Sequence, residues 1–132
     1  MYLAHCYPYT YTDLCKFVQN LCNFQNKDKL RKTVLCKSLA GNDVDMLILT
    51  NFASDPSEIA TRKAIVLAAR VHPGETPASW MMDGVIEFLV SEHEKARFLR
   101  DTFVFKIIPM QNPDGVIVGN YRCDLVGVDL NR

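Results

Sequence analysis

Ala64-Ile65-Val66-Leu67-Ala68-Ala69-Arg70-Val71-His72-Pro73-Gly74-Glu75-Thr76-Pro77 reads as a strand, a tight loop and a helix start in direct succession. The first eight residues form an apolar run of the kind that fills a buried strand. Pro73 and Gly74 then break the chain into a loop. Thr76 is placed to cap a helix that Pro77 opens and that carries Trp80, Met81, Val85, Phe88 and Leu89 to about Val90. An imidazole (His72) and a carboxylate (Glu75) three positions apart at the mouth of a strand make half of a catalytic zinc site, which takes three protein ligands and keeps one position open. The spacing is neither the helical His-Glu-x-x-His pattern, which Pro73-Gly74 forbids, nor its inverted form, since Thr76 follows the glutamate. The competing reading is an ordinary loop histidine beside a glutamate that favours a helix N-terminus.

Working outward, Tyr9 to Phe24 has Leu14, Phe17, Val18, Leu21 and Cys22 at helical spacing, with Thr12 available as a cap. Thr33–Leu39 and Val44–Phe52 read as strands joined by the Gly41-Asn42-Asp43 turn, and Asp55-Pro56-Ser57 as loop. A shorter helix is expected around Glu94–Arg100, and Phe103–Ile108 as a second buried strand ended by Pro109. A hairpin followed by strand, helix and strand implies an α/β fold with a mixed sheet. Ligands in such sheets gather beyond the carboxyl ends of the strands. His72 follows one such strand and Gln111-Asn112-Pro113-Asp114-Gly115 the next, so the candidate chemistry collects at one edge of the sheet. Asn112 to Gly115 reads as turn scaffold. His5 and Tyr7 read as core or sheet-edge groups of an N-terminal strand, and His93 as a solvated helix junction.

The 132 residues, 48% hydrophobic, suffice for one modest core. A formal net charge of zero implies no general attraction to nucleic acid or membrane. No apolar run approaches the roughly 20 residues of a membrane span, and no basic segment followed by an apolar signal opens the chain. Five cysteines, an odd number without a Cys-x-x-Cys pair, suggest reduced thiols in a cytosolic setting and argue against a structural cysteine–zinc site. The final stretch, Gly119 to Arg132, carries Arg122, Asp129, Asn131 and Arg132. Arginine suits carboxylate recognition, and a fixed cation near a metal can stabilise a developing oxyanion. Read bare, the stretch is equally a solvated loop with incidental charges.

Together, Ala4-His5-Cys6-Tyr7-Pro8-Tyr9-Thr10-Tyr11, His72-Pro73-Gly74-Glu75-Thr76, Asn112-Pro113-Asp114-Gly115-Val116, Gly119-Asn120-Tyr121-Arg122-Cys123 and Gly127-Val128-Asp129-Leu130-Asn131-Arg132 resemble the funnel-shaped zinc metallocarboxypeptidases, specifically their cytosolic carboxypeptidase branch. The resemblance implies a mixed-sheet zinc carboxypeptidase/aminohydrolase-like α/β fold. It makes His72 and Glu75 the first two zinc ligands, and Arg122 the arginine that polarises the scissile carbonyl. It makes Asn131 and Arg132 the pair that grips the terminal carboxylate, and Asp129 the acid that orients His72. A metal-bound imidazole does generally donate its other N–H to an acceptor. The branch trims glutamate from tubulin tails and polyglutamate side chains, so acidic peptide tails are the implied partners.

In that family the third zinc ligand, a histidine, and the general-base glutamate lie well downstream of the Asn–Arg pair. His5 and His93 match neither. Residues 1–132 therefore read as the N-terminal half of a catalytic domain, expected to be inactive alone. Two other classes stay open: a binding module that keeps the carboxylate-gripping arginines without catalysis, and a related zinc amidohydrolase, since the same ligand pattern suits any metal-assisted amide hydrolysis.

Overall fold

The computed structural model describes residues 3–22 and 24–132. Strands β1 (Leu30–Lys37), β2 (Asp43–Leu49), β3 (Lys63–Ala68) and β4 (Phe103–Ile108) form one mixed sheet in the order β1-β2-β4-β3. The expected hairpin is present: β1 runs antiparallel to β2, from Leu30 opposite Leu49 to Lys37 opposite Asp43, with an irregularity between Val34 and Cys36. β2 pairs antiparallel with β4, and β4 parallel with β3. Among the described residues five α-helices accompany the sheet: α1 (Tyr11–Leu21), α2 (Pro56–Thr61), α3 (Pro77–Val90), α4 (Glu94–Thr102) and α5 (Pro113–Val118).

The core follows from alternation on the central strands. Leu47 and Leu49 of β2 and Phe105 and Ile107 of β4 are buried, and Ile86 and Leu89 of α3 and Leu14 and Val18 of α1 belong to the same cluster. Each such side chain contributes about 1.5–3 kcal/mol of transfer free energy. Placing α3 between β3 and β4 is the ordinary crossover of a parallel pair.

Several expectations are corrected. α1 is capped by Thr10 rather than Thr12. The Thr10 hydroxyl accepts the Asp13 N–H, and the Asp13 carboxylate accepts the Thr10 N–H at 2.8 Å, a reciprocal capping box. The expected helix also ran past Leu21 through Asn23, which lies outside the described residues. Asp55-Pro56-Ser57 is a helix start and not loop: Asp55 accepts the Ser57 N–H at 2.8 Å, and Pro56 opens α2. Thr76 does not cap α3 with its side chain. Its own backbone is already helical (φ −58°, ψ −30°), so the hydroxyl cannot reach back to the first-turn amides, and Thr76 Oγ1 is buried without a partner. Asn112 to Gly115 is the cap and first turn of α5, with the Asn112 side chain accepting the Gly115 N–H at 3.0 Å. His5 and Tyr7 lie outside any strand and are exposed, whereas His93 is the expected junction, capping α4 by accepting the Lys95 N–H. β3, read as a buried strand, is an edge strand whose Ala64, Val66 and Ala68 face outward exposed.

Candidate active site

Beyond β3 and β4 the parallel pair is prolonged by Ala69 N–H to Ile108 O (3.0 Å), Gln111 N–H to Ala69 O (3.0 Å) and Asn112 N–H to Arg70 O (3.3 Å). Both segments therefore leave the sheet in register, and the loops that follow meet at its carboxyl end. His72-Pro73-Gly74-Glu75 closes as a turn, with the Glu75 N–H on the His72 carbonyl at 3.2 Å. The turn brings both side chains to one side, and His72 Nδ1 lies 3.1 Å from Glu75 Oε1. The His72 side chain is 8% exposed, whereas half of the Glu75 side chain is open to solvent.

Two close packings hold this turn. A Cβ on Gly74 would come within 2.3 Å of the Tyr121 ring, and the Gly74 N–H donates to the Tyr121 carbonyl at 2.7 Å. A Cβ on Gly115 would lie 2.4 Å from Pro73 Cγ and 2.8 Å from the Cys123 carbonyl. The His72–Glu75 turn and the loop bearing Arg122 thus share a backbone bond, and α5 forms the floor beneath Pro73.

Asp129 organises the opposite side. Its Oδ1 lies 3.1 Å from His72 Nε2 and accepts the Asn131 N–H at 3.0 Å, while its Oδ2 accepts Arg122 Nε at 2.7 Å. The Asn131 N–H, with Arg122 and His72, holds the Asp129 carboxyl well below the usual range against the desolvation that opposes it. A carboxylate so firmly ionised cannot donate, so the proton between it and the imidazole sits on Nε2. Nδ1 then presents to Glu75 Oε1 either a lone pair or a second proton. Two lone-pair acceptors at 3.1 Å require a proton or a cation between them.

That requirement tests the fit to zinc. Two donors each about 2 Å from one ion lie no more than about 4 Å apart, and the observed separation of 3.1 Å satisfies this. Among the described residues no group of three or more His, Cys, Asp and Glu side chains could hold a metal.

The sequence-predicted site residues are brought together unevenly. His72, Glu75, Asp129 and Arg122 form one connected cluster. Arg122 commits Nε to Asp129, and its terminal nitrogens carry no other hydrogen bond among the described residues. Arg132 Nε stands 3.6 Å from Asp129 Oδ2, with most of its side chain in solvent. Asn131 joins the cluster through its backbone. Two supporting residues complete the site: Asp114, read from sequence only as part of a turn scaffold, and Arg70, which was not singled out. Asp114, 4% exposed, accepts from the Ser38 hydroxyl (2.6 Å), the Ala40 N–H (2.9 Å) and Asn42 Nδ2 (2.8 Å), pinning the hairpin turn to α5. Arg70 is buried beneath the His72–Glu75 turn and is, among the described residues, the one non-glycine at positive φ (55°), a conformation costing about 1–2 kcal/mol. An arginine inside an otherwise apolar run was the only sign of it.

The chain is similar to known proteins over nearly its whole length. Residues 14–132 match the model of the Peptidase_M14 family, described as zinc carboxypeptidase. The chain is 54% identical to mouse cytosolic carboxypeptidase 2 over 99% of its own length and 15% of that protein, and 52% identical to bovine cytosolic carboxypeptidase 3 over 99% and 13%. It therefore spans about one seventh of these relatives. The crystal structure of a metallo-carboxypeptidase from Burkholderia cenocepacia superimposes with a TM-score of 0.82 at 29% identity, over 95% of this chain and 33% of that one. With the match covering nearly all of its residues, the chain belongs to the zinc carboxypeptidase family.

Proposed function

We propose that this chain supplies part of the active site of a zinc-dependent carboxypeptidase that removes residues from the C-termini of peptides and proteins. The observation that carries the reading is the approach of His72 Nδ1 to Glu75 Oε1 on one side of the imidazole, with Asp129 fixing the other. His72 and Glu75 would hold zinc together with a third donor from outside the described residues. When bound, zinc supplies a Lewis acid and a water of lowered pKa.

The remaining roles belong to this chain's own groups. Asp129 keeps the His72 proton on Nε2, leaving Nδ1 free to ligate. Arg122, anchored through Nε, directs its unengaged terminal nitrogens to the oxyanion of the scissile carbonyl. Arg132, with Asn131, receives the substrate's terminal carboxylate, for which its exposed fork is suited. Glutamate as the residue removed, acidic tails such as those of tubulin as substrates, and a cytosolic location rest on the resemblance to the cytosolic branch. Two facts are compatible with that location: the relatives carry the name cytosolic carboxypeptidase, and among the described residues no helix is long and apolar enough to cross a membrane. The third ligand and general base are assigned to further chain, and the 132 residues by themselves are expected to be inactive.

The test uses the full-length protein and paired peptides ending in glutamate, one with a free C-terminus and one amidated. Stepwise loss of terminal residues from the free peptide, with the amidated one spared, is the expected result. Equal cleavage of both favours an amidohydrolase, and tight binding of the free peptide without cleavage favours a carboxylate-binding module.

A further inference from the structure

We propose that Arg70 is a positioning residue whose guanidinium sets the spacing of His72 and Glu75. The consequence for zinc rests on the functional reading above; the clamp itself does not. Three acceptors from three segments surround the buried fork: Nε donates to the Pro73 carbonyl at 2.9 Å, one terminal nitrogen to Ser79 Oγ at 2.8 Å, and the other to the Tyr9 carbonyl at 3.1 Å. Pro73 is the second residue of the His72–Glu75 turn, so gripping its carbonyl fixes the peptide plane that aims Gly74 and Glu75. Ser79 lies in the first turn of α3, and Tyr9 precedes α1, with its ring 4.9 Å from that of Trp80. The loop is thereby referenced to α3 and to the N-terminal segment at once.

Two features mark the side chain as used rather than tolerated. Among the described residues no carboxylate pairs with Arg70, so a cation is buried on carbonyl and hydroxyl partners alone, which a folding role could more simply leave to an apolar side chain. Its backbone stands at φ 55°, where glycine would sit without strain. Such strain persists where the surroundings over-determine it, and it gathers at sites. A planar fork with three diverging N–H directions can meet all three acceptors together, which an ammonium on a flexible stem cannot.

The test compares wild type, Arg70→Gly and Arg70→Lys in the full-length protein. Arg70→Gly relieves the positive φ, which offsets part of the cost of leaving three acceptors unpaired, and it removes the clamp. In the metal-free protein, amide exchange across residues 72–76 should accelerate at least about tenfold in Arg70→Gly, with β4 unchanged. Zinc affinity, measured by chelator competition, should weaken roughly 10- to 100-fold, as for loss of other groups that orient ligands. The visible spectrum of the cobalt-substituted variant should change with the ligand geometry. Arg70→Lys, keeping the charge without the fork, should behave like Arg70→Gly. Wild-type loop exchange and wild-type zinc affinity in Arg70→Gly, accompanied only by a lower melting temperature, would overturn the proposal, as would full retention by Arg70→Lys. A wild type that takes up no zinc while the exchange contrast holds removes the zinc reading and keeps the clamp.

Discussion

Asp129 concentrates the site's electrostatics in one carboxylate, because a side chain, a guanidinium and a backbone N–H all donate to it. Asp129→Asn keeps the shape but replaces one acceptor oxygen by a donor, so His72 or Arg122 loses its partner. In the full-length protein zinc affinity or turnover should fall roughly 10- to 100-fold, measured by zinc titration beside peptide hydrolysis. The same residue carries a pH dependence. Its folded carboxyl titrates below the ordinary value of 3.8, so its stabilising effect is complete above that pH and is lost as the pH falls through the lower, folded value. Acid unfolding should accordingly be less steep below about pH 4 in Asp129→Asn than in wild type. Arg122→Ala, by contrast, should lower kcat by about 10²–10³ with little change in KM, the pattern for losing an oxyanion donor. His72 and Glu75 stood out as a candidate pair by type and spacing, whereas Arg122 and Asp129 gained roles only through the family resemblance, since their stretch read bare is equally a solvated loop. Arg70 was not legible, and Asp114 only as a member of a turn scaffold, because their partners are carbonyls, amides and hydroxyls that only folding brings near.

At the scale of elements, the hairpin turn and α5 are joined through Asp114. Desolvation alone would raise its carboxyl, but hydrogen bonds from Ser38, Asn42 and Ala40 outweigh it and hold the group ionised. Asp114→Ala strands three donors and should cost about 2–4 kcal/mol, read as a lower urea midpoint at unchanged slope. The junction of α3 with the N-terminal segment behaves oppositely. Desolvation lifts Asp83 to about 6 although the Tyr9 hydroxyl donates to it at 3.0 Å. Between its unfolded value near 4 and about 6 the folded protein binds the extra proton, so stability falls as the pH rises through that window. Two pH units correspond to about 3 kcal/mol, which solvent screening at a half-buried group reduces to about 1. Asp83→Asn, which can still accept from Tyr9, should therefore stabilise the fold by about 1 kcal/mol at pH 7 and by nothing below pH 4. Long elements were readable: α3 ends at Pro77 and Val90 as its spacing predicts, and β4 spans Phe103–Ile108. The six-residue helices α2 and α5 were not, because a helix so short offers fewer than two turns of apolar periodicity and its Asn/Asp-Pro start is also a turn signal.

Across the whole molecule, the apolar run before His72 was read as buried, yet β3 is the sheet's edge, with Val66 64% exposed. Beside it a cavity of about 500 Å³ is lined by Leu67, Met81, Val85, Phe88, Leu99 and Phe105. Sequence fixes how apolar a strand is, but which neighbours cover it depends on the rest of the fold. An exposed apolar edge pairs with other chains, so the 132-residue chain should self-associate with rising concentration in sedimentation runs, and Val66→Lys should suppress this. The central claim, that His72 and Glu75 are zinc ligands held in place from this chain, meets its most direct test in the zinc content of the purified full-length protein after dialysis, wild type against His72→Ala. About one zinc per chain in wild type and almost none in the variant is the predicted result; equal zinc in both would contradict the account.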